Sequence, residues 1–156
     1  MKTLFKYISL FIITLVMSSA TASADYQKGL DAYNAGDYAT AMKEWRPLAD
    51  QGDANAQRWL AAIFNYGWGV PVDYIKAVKW YRLAADQGNA IAQSNLGLMY
   101  NNGTGVPENY IEAYKWWNLA AAQGVPVAKD NKEAVEQRMT KQQIAEGQRL
   151  SREWFN

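Results

Sequence analysis

Few side chains in this sequence can do chemistry. It contains no His and no Cys, which removes the commonest general base, the thiol nucleophile and the soft metal ligands. Beyond residue 24 the serines are Ser94 and Ser151. Neither stands in the Gly-x-Ser-x-Gly turn that presents a hydroxyl for attack. Glu108 and Glu112 are four residues apart, the spacing of neighbours on one helix face. They suit the start of a helix, where free N–H groups favour negative charge, better than acid–base catalysis. Gly67 with Gly69, and Gly103 with Gly105, are not phosphate loops, because no Lys-Ser/Thr follows and no strand precedes. They read as turns. The expectation is a protein with no catalytic residue, no metal ligand and no cofactor.

The elements that position the remaining side chains emerge from self-similarity. Tyr38, Tyr74 and Tyr110 each open a Tyr-x-x-Ala segment, every one 36 residues after the last. Asp50-Gln-Gly52, Asp86-Gln-Gly88 and Ala122-Gln-Gly124 keep that step, as do Gly67-Trp-Gly-Val-Pro71 and Gly103-Thr-Gly-Val-Pro107. A period of this length marks a stacked repeat. Ala56, Leu60, Ile63 and Phe64 fall on one helical face, echoed by Ala92, Leu96, Met99 and Tyr100. Tyr74, Ala77, Val78 and Tyr81 mark a second helix, echoed by Tyr110, Ala113, Tyr114 and Trp117 and by Tyr38, Ala41, Met42 and Trp45. Asp37, Asp73 and Asn109 are placed to cap the second helices, and Gly36, Gly67 and Gly103 to close the first.

Small Ala41, Ala77 and Ala113, facing Ala61 and Gly97, mark where paired helices approach closely. Trp45, Tyr81 and Trp117 share one repeat position, read as core, and Trp80 and Trp116 share another. A single hairpin cannot bury its apolar stripe alone. The fold class is therefore all-α, an α-solenoid of stacked helix-turn-helix units. Near the end, Thr140-Lys-Gln-Gln143 is a capping box. Ile144, Gly147, Leu150, Ser151, Trp154 and Phe155 follow on one side of a last helix, after a helix expected over Val127 to Met139. This atypical pair, within 127–156, is expected to shield the open end of the stack.

Leu96-Gly-Leu-Met-Tyr100, Gly103-x-Gly-Val-Pro107, Ala113, Trp116, Ala120-Ala121 and Gln123-Gly124 resemble the Sel-1-like repeat, a relative of the tetratricopeptide repeat. The resemblance covers roughly residues 55–130, with full repeats at 55–90 and 91–126. Residues 25–54 form a shorter, more tetratricopeptide-like unit, whose loop Asn34-Ala-Gly-Asp37 lacks the Gly-x-Gly-Val insertion. At Val125-Pro126 the pattern departs, and a re-aimed helix is expected because Pro suits a first turn. Some cysteine-rich members of the family are linked to β-lactam hydrolysis or binding. That property does not transfer to a chain without Cys.

The resemblance implies that the first helix of each pair lines a concave binding face. Helix phase then places Gln27, Asp31 and Asn34, next Asn55, Arg58, Ala62, Asn65 and Tyr66, and last Ile91, Ser94, Leu98, Asn101 and Asn102 in the groove. Asn34, Asn65 and Asn101 form a ladder that either bonds a bound backbone or caps helix ends. Arg58, the groove cation, either clamps a carboxylate or pairs with a nearby acid. Trp68 stands where the next repeat has Thr104. With Tyr66 and Trp59 it makes an aromatic patch of the kind that anchors interfaces, or else it folds back over Val70 and Pro71. The candidate partner-binding residues are Arg58, Asn65, Tyr66, Trp68, Asn101 and Asn102.

The first residues read as an export signal. Lys2 and Lys6 precede an apolar run from Ile8 to Met17, and Ala22-Ser23-Ala24 is a small-x-small cleavage site. The run is too short to span a bilayer, which takes ~20 residues. No Cys follows it to accept a lipid. Removing 1–24 takes Lys2 and Lys6 from 16 basic residues, leaving 14 against 15 acidic ones, a net charge of −1. With no basic stripe, nucleic acid is a poor partner. The expected protein is a periplasmic or secreted monomer, without a membrane span, that acts as an adaptor or scaffold for a protein or peptide. Two other readings are an immunity protein that neutralises a secreted toxic effector, and a binder of glycan or peptidoglycan. Intact-mass analysis of the exported protein should give a chain starting at Asp25. A membrane-bound species retaining Met1 would contradict the leader.

Overall fold

The computed structural model describes residues 22–154. Among these residues eight helices follow one another: α1 (22–34), α2 (Tyr38–Asp50), α3 (Ala54–Tyr66), α4 (Tyr74–Asp86), α5 (Ala90–Asn102), α6 (Tyr110–Ala122), α7 (Pro126–Glu136) and α8 (Lys141–Trp154). Most of the expected leader lies outside the described residues. Its last three, 22–24, are helical and continuous with α1, and Ala22 rests against the core.

Local chemistry sets the helix ends. The side chains of Asp37, Asp73 and Asn109 accept from the free N–H groups of Thr40, Lys76 and Ile111 with Glu112. Hydrogen bonds from the side chains of Thr40 and Lys76, with those backbone N–H groups, hold the Asp37 and Asp73 carboxyls below the usual carboxylate range. Asp53 and Asn89 cap α3 and α5 in the same way. Gly67 and Gly103 end α3 and α5 with φ of 70° and 65°, a conformation that a Cβ disfavours. The second glycine of each loop has a different task. A Cβ on Gly69 would lie 3.1 Å from Tyr38 Cβ, and one on Gly105 would lie 2.5 Å from the Tyr74 carbonyl oxygen. Each loop thus rests on the first turn of the preceding unit's second helix.

Each unit is a hairpin closed by one large ring over one small residue. Trp117 lies across Gly97 and donates its indole N–H to the Ser94 carbonyl at 3.0 Å; Trp45 does the same across Gly29 to Tyr26 at 3.2 Å. In the middle hairpin Tyr81 takes the ring position. Its hydroxyl is buried with no hydrogen-bond partner among the described residues, and burial pushes the phenol well above its ordinary pKa.

Between units the contact is polar as well as apolar. Gln57 donates to the Ala49 carbonyl at the end of α2 and accepts from Gln87 beyond α4. Gln93 repeats the pattern with Ala85 and Gln123. Apart from Tyr38, Met42, Tyr74 and Tyr110, the expected helix-face residues are buried. The three tyrosines sit in first turns, at the margin of the stack rather than in its core.

The C-terminal pair differs from expectation. Pro126 occupies the first turn of α7 as its chemistry favours. The helix ends at Glu136, three residues short of the expected Met139, where Arg138 and Met139 donate to carbonyls three residues back. α7 lies on α6 as α3 lies on α2 and α5 on α4, so it continues the stack. α8 does not pair with it as a hairpin. It folds back along α6, with Gly147 under the Tyr114 ring and Trp154 beside Gly88. The capping box forms reciprocally: Thr140 N–H donates to Gln143 Oε1, and Gln143 N–H to Thr140 Oγ1. Phe155, expected on the same side of this helix, lies outside the described residues.

Replacing a helical Gly with Ala normally stabilises by about 1 kcal/mol. Gly97→Ala should instead destabilise by ~1–3 kcal/mol, because the methyl would stand 2.8 Å from the Trp117 ring. Urea unfolding measures the sign, and a gain in stability would contradict the close-approach account.

Candidate partner-binding face

The helix bounds fix which residues are equivalent. α3 and α5 are 36 residues apart, but α1 precedes α3 by 32, because its loop (35–37) is four residues shorter than the 67–73 loop. The position of Asn65 and Asn101 is therefore held by Tyr33 in the first unit. The expected ladder of Asn34, Asn65 and Asn101 is corrected to Tyr33, Asn65 and Asn101. Counting back from the loop glycine had misplaced its first rung.

At the junction of the first two units seven rings make one cluster: Tyr26, Tyr33, Tyr38, Trp45, Trp59, Tyr66 and Trp68. Trp68 stacks on Tyr38 with centroids 5.6 Å apart and on Tyr66 at 4.8 Å, and it meets Tyr33 at 5.2 Å. It is half-buried. It reaches back onto the preceding unit and plugs the junction. Arg58 lies over the Trp59 ring at 4.1 Å, and Trp59 donates to the Tyr26 hydroxyl.

One unit further on, Tyr33, Tyr38, Trp59, Tyr66 and Trp68 become Asn65, Tyr74, Asn95, Asn102 and Thr104. Four of the five rings are lost, and a cavity of about 210 Å³ opens, lined by Asn65, Tyr66, Tyr74, Leu98, Met99, Asn102 and Thr104. Tyr66 serves both junctions. At the third junction the same space is closed from within. Arg138 lies 4.2 Å over the Tyr110 ring, donates to the Tyr110 hydroxyl, and stands 3.5 Å from Asn101 Oδ1 and 4.0 Å from Glu108.

The structure thus brings Asn65, Tyr66 and Asn102 together around one cavity. Asn101 bonds Asn102 at 2.8 Å but faces the next junction, while Trp68 and Arg58 belong to the aromatic side. Among the other expected groove residues, Ile91 and Leu98 are exposed, but Ala62 and Ser94 are buried. Sequence reasoning missed Tyr74, Thr104 and Arg138. Tyr74 had been placed on the core face by its spacing, yet it is 45% exposed. A first-turn residue projects beyond the neighbouring helix, which periodicity does not show. A wider hollow lies between Ile111 of α6 and α8, where Arg149 is already held by Glu146 and Glu153. Among the described residues no group of acidic side chains is arranged to hold a metal, and no helix is long and apolar enough to cross a membrane.

Because Trp68 is half-buried among three rings, Trp68→Ala should destabilise by about 2 kcal/mol, below the 3–5 typical of a fully buried Trp. An unchanged melting temperature would show that the cluster contributes nothing.

The Sel1 repeat family matches residues 54–89 and 90–125. The chain is 30% identical to the crystallised Sel1 repeat protein from Oxalobacter formigenes, at a TM-score of 0.67, covering 81% of this chain and 98% of that one. It is 28% identical to c5321 of uropathogenic Escherichia coli, a protective antigen with an SLR fold, at a TM-score of 0.81. That match covers 85% of this chain but 29% of c5321, so the chain spans under a third of that relative's length. No curated protein matches it. With 36-residue hairpins, glycine-closed loops and these likenesses together, the chain belongs to the Sel1 repeat family, an all-helical solenoid.

Proposed function

We propose that this protein is an exported, periplasmic or secreted adaptor that docks a partner protein or peptide on the face carrying Tyr66, Ile91 and Leu98, without catalysing a reaction. Sel1 repeats are generally protein-interaction modules, which supports the class. The observation that carries the reading for this chain is the open second junction. Tyr66 and Leu98 there are 55% and 44% exposed around a cavity that the flanking junctions fill. Ile91 continues this apolar surface on α5, and Val72 and Ile75 lie exposed beside Tyr74. Exposed aromatic and aliphatic side chains beside a concavity provide the desolvated anchor that interfaces use. The near-neutral charge after export favours a protein over a nucleic acid.

A photo-crosslinking residue placed at Leu98, or for comparison at the exposed Lys79 on α4, tests the face in cells. The expected result is one discrete crosslinked partner from position 98 and none from 79. Leu98→Glu should weaken capture by more than tenfold, the loss of about 2 kcal/mol typical of a central anchor. Equal crosslinking from both positions, or none from 98, would contradict the assignment.

A further inference from the structure

The three junctions are versions of one site, and two of them show what fills it. At each, a first-turn tyrosine (Tyr38, Tyr74 or Tyr110) offers a ring face. In the first junction an indole lies on that face, Trp68 on Tyr38, 15° from parallel. In the third a guanidinium lies on it, Arg138 on Tyr110. Only planar groups occupy these positions. At the second junction both positions that supply the filler are short, Thr104 in place of Trp68 and Asn102 in place of Arg138, and Tyr74 is left uncovered.

Its lining decides between the two fillers. The indole of Trp68 is surrounded by Tyr33, Tyr38 and Tyr66. The guanidinium of Arg138 is held by a tyrosine hydroxyl and an asparagine side-chain oxygen, with the Glu108 carboxylate 4.0 Å away. The second junction has the tyrosine, Tyr74, and the asparagine, Asn65, at those same positions, with Asn102 and Thr104 adding oxygen acceptors. It lacks the ring that Tyr33 supplies, and it has Val72 where the third junction has Glu108. A volume of about 210 Å³ admits one planar side chain, since a cavity of ~150 Å³ holds a benzene ring. No lysine or arginine lines it to repel a cation, and guanidinium is more weakly hydrated than ammonium, so its partial burial costs less.

We infer that the cavity between the second and third repeats is a receptor for a single arginine side chain of the docked partner, stacked on Tyr74 and hydrogen-bonded by Asn65 and Asn102. This rests on the docking reading above and names the residue that the partner inserts. The Arg138 contacts give the pattern: the guanidinium face lies on the phenol ring, and its edge N–H groups donate to the hydroxyl and the amide oxygen. The partner's methylene stem then runs along Leu98 and Met99, which line the cavity.

The test titrates the full mature chain with Ac-Gly-Arg-Gly-NH2 and follows backbone amide NMR signals, with the Lys and Trp tripeptides as comparisons. The expected result is saturable shifts at Asn65, Tyr74, Asn102 and Thr104 for the Arg peptide, with a dissociation constant on the order of millimolar. The Lys peptide should bind at least several-fold more weakly. Asn102→Arg should close the cavity from within, as Arg138 does next door, and weaken Arg-peptide binding more than tenfold. Asn65→Leu, which removes the equivalent of the Asn101 oxygen, should weaken it too and serves if the first variant does not fold. Tighter binding of the Trp peptide, no shifts at these residues, or undiminished binding in both variants would overturn the proposal. The docking reading stands or falls separately, on the crosslinks from position 98.

Discussion

Gln57 and Gln93 are each taken out of water and bonded at both ends of the amide, to a carbonyl of the preceding unit's second helix and to a glutamine beyond their own. A buried amide left unpaired would lose about 1–3 kcal/mol, so neither side chain tolerates a slip of one helix along another. Ridges packed into grooves resist such slips as well, but a buried amide adds a directional requirement that apolar contact lacks. The glutamines therefore fix where each first helix sits on the hairpin before it. That fixed step makes the junctions between units copies of one another, and comparison among copies is what gives their differences meaning.

The hairpins themselves depend on a second restraint, a wide ring against a residue with no side chain. Trp45 over Gly29 and Trp117 over Gly97 bring helices close enough for an indole N–H to reach a helical carbonyl. Where Tyr81 replaces the indole, that bond is lost and a buried hydroxyl has no partner among the described residues. Among the described residues the last hairpin likewise leaves the Trp116 indole N–H unpaired, and the open cavity lies between these two hairpins. The outer junctions are closed by Trp68 and Arg138, so the stack is sealed at both sides of an unfilled centre.

The fold was legible because a repeat announces itself several times over. Helix faces, caps and glycine stops recur at one spacing, and a misread residue is corrected by its copies. Tyr74 shows where this fails. Its position in the pattern is that of a core residue, but a side chain in a first turn can overhang the neighbouring helix. Gln57 and Gln93 also recur at the repeat spacing. They carried a signal as clear as that of the tyrosines, yet a buried glutamine has meaning only once its partners on two other helices are known. The cavity was half-legible: Asn65, Tyr66 and Asn102 were on the page. Its emptiness was not, because it shows only by comparison with Arg138, which lies outside the repeats, and with a first helix offset by 32 residues rather than 36. α8 escaped for a related reason. A sequence gives the apolar side of a helix but not the neighbour it covers.

The central claim is that the second junction is an unfilled version of the first, built at the equivalent repeat positions and lacking its filler. The stability of Thr104→Trp tests this most directly, since position 104 is the counterpart of Trp68. If the two junctions share a shape, the indole should lie on Tyr74 as Trp68 lies on Tyr38, and unfolding by urea should show a gain of ~0.5–2 kcal/mol, as cavity-filling changes give. A loss of stability, with the indole rejected by the loop, would show that the junctions are not equivalent and would contradict the account.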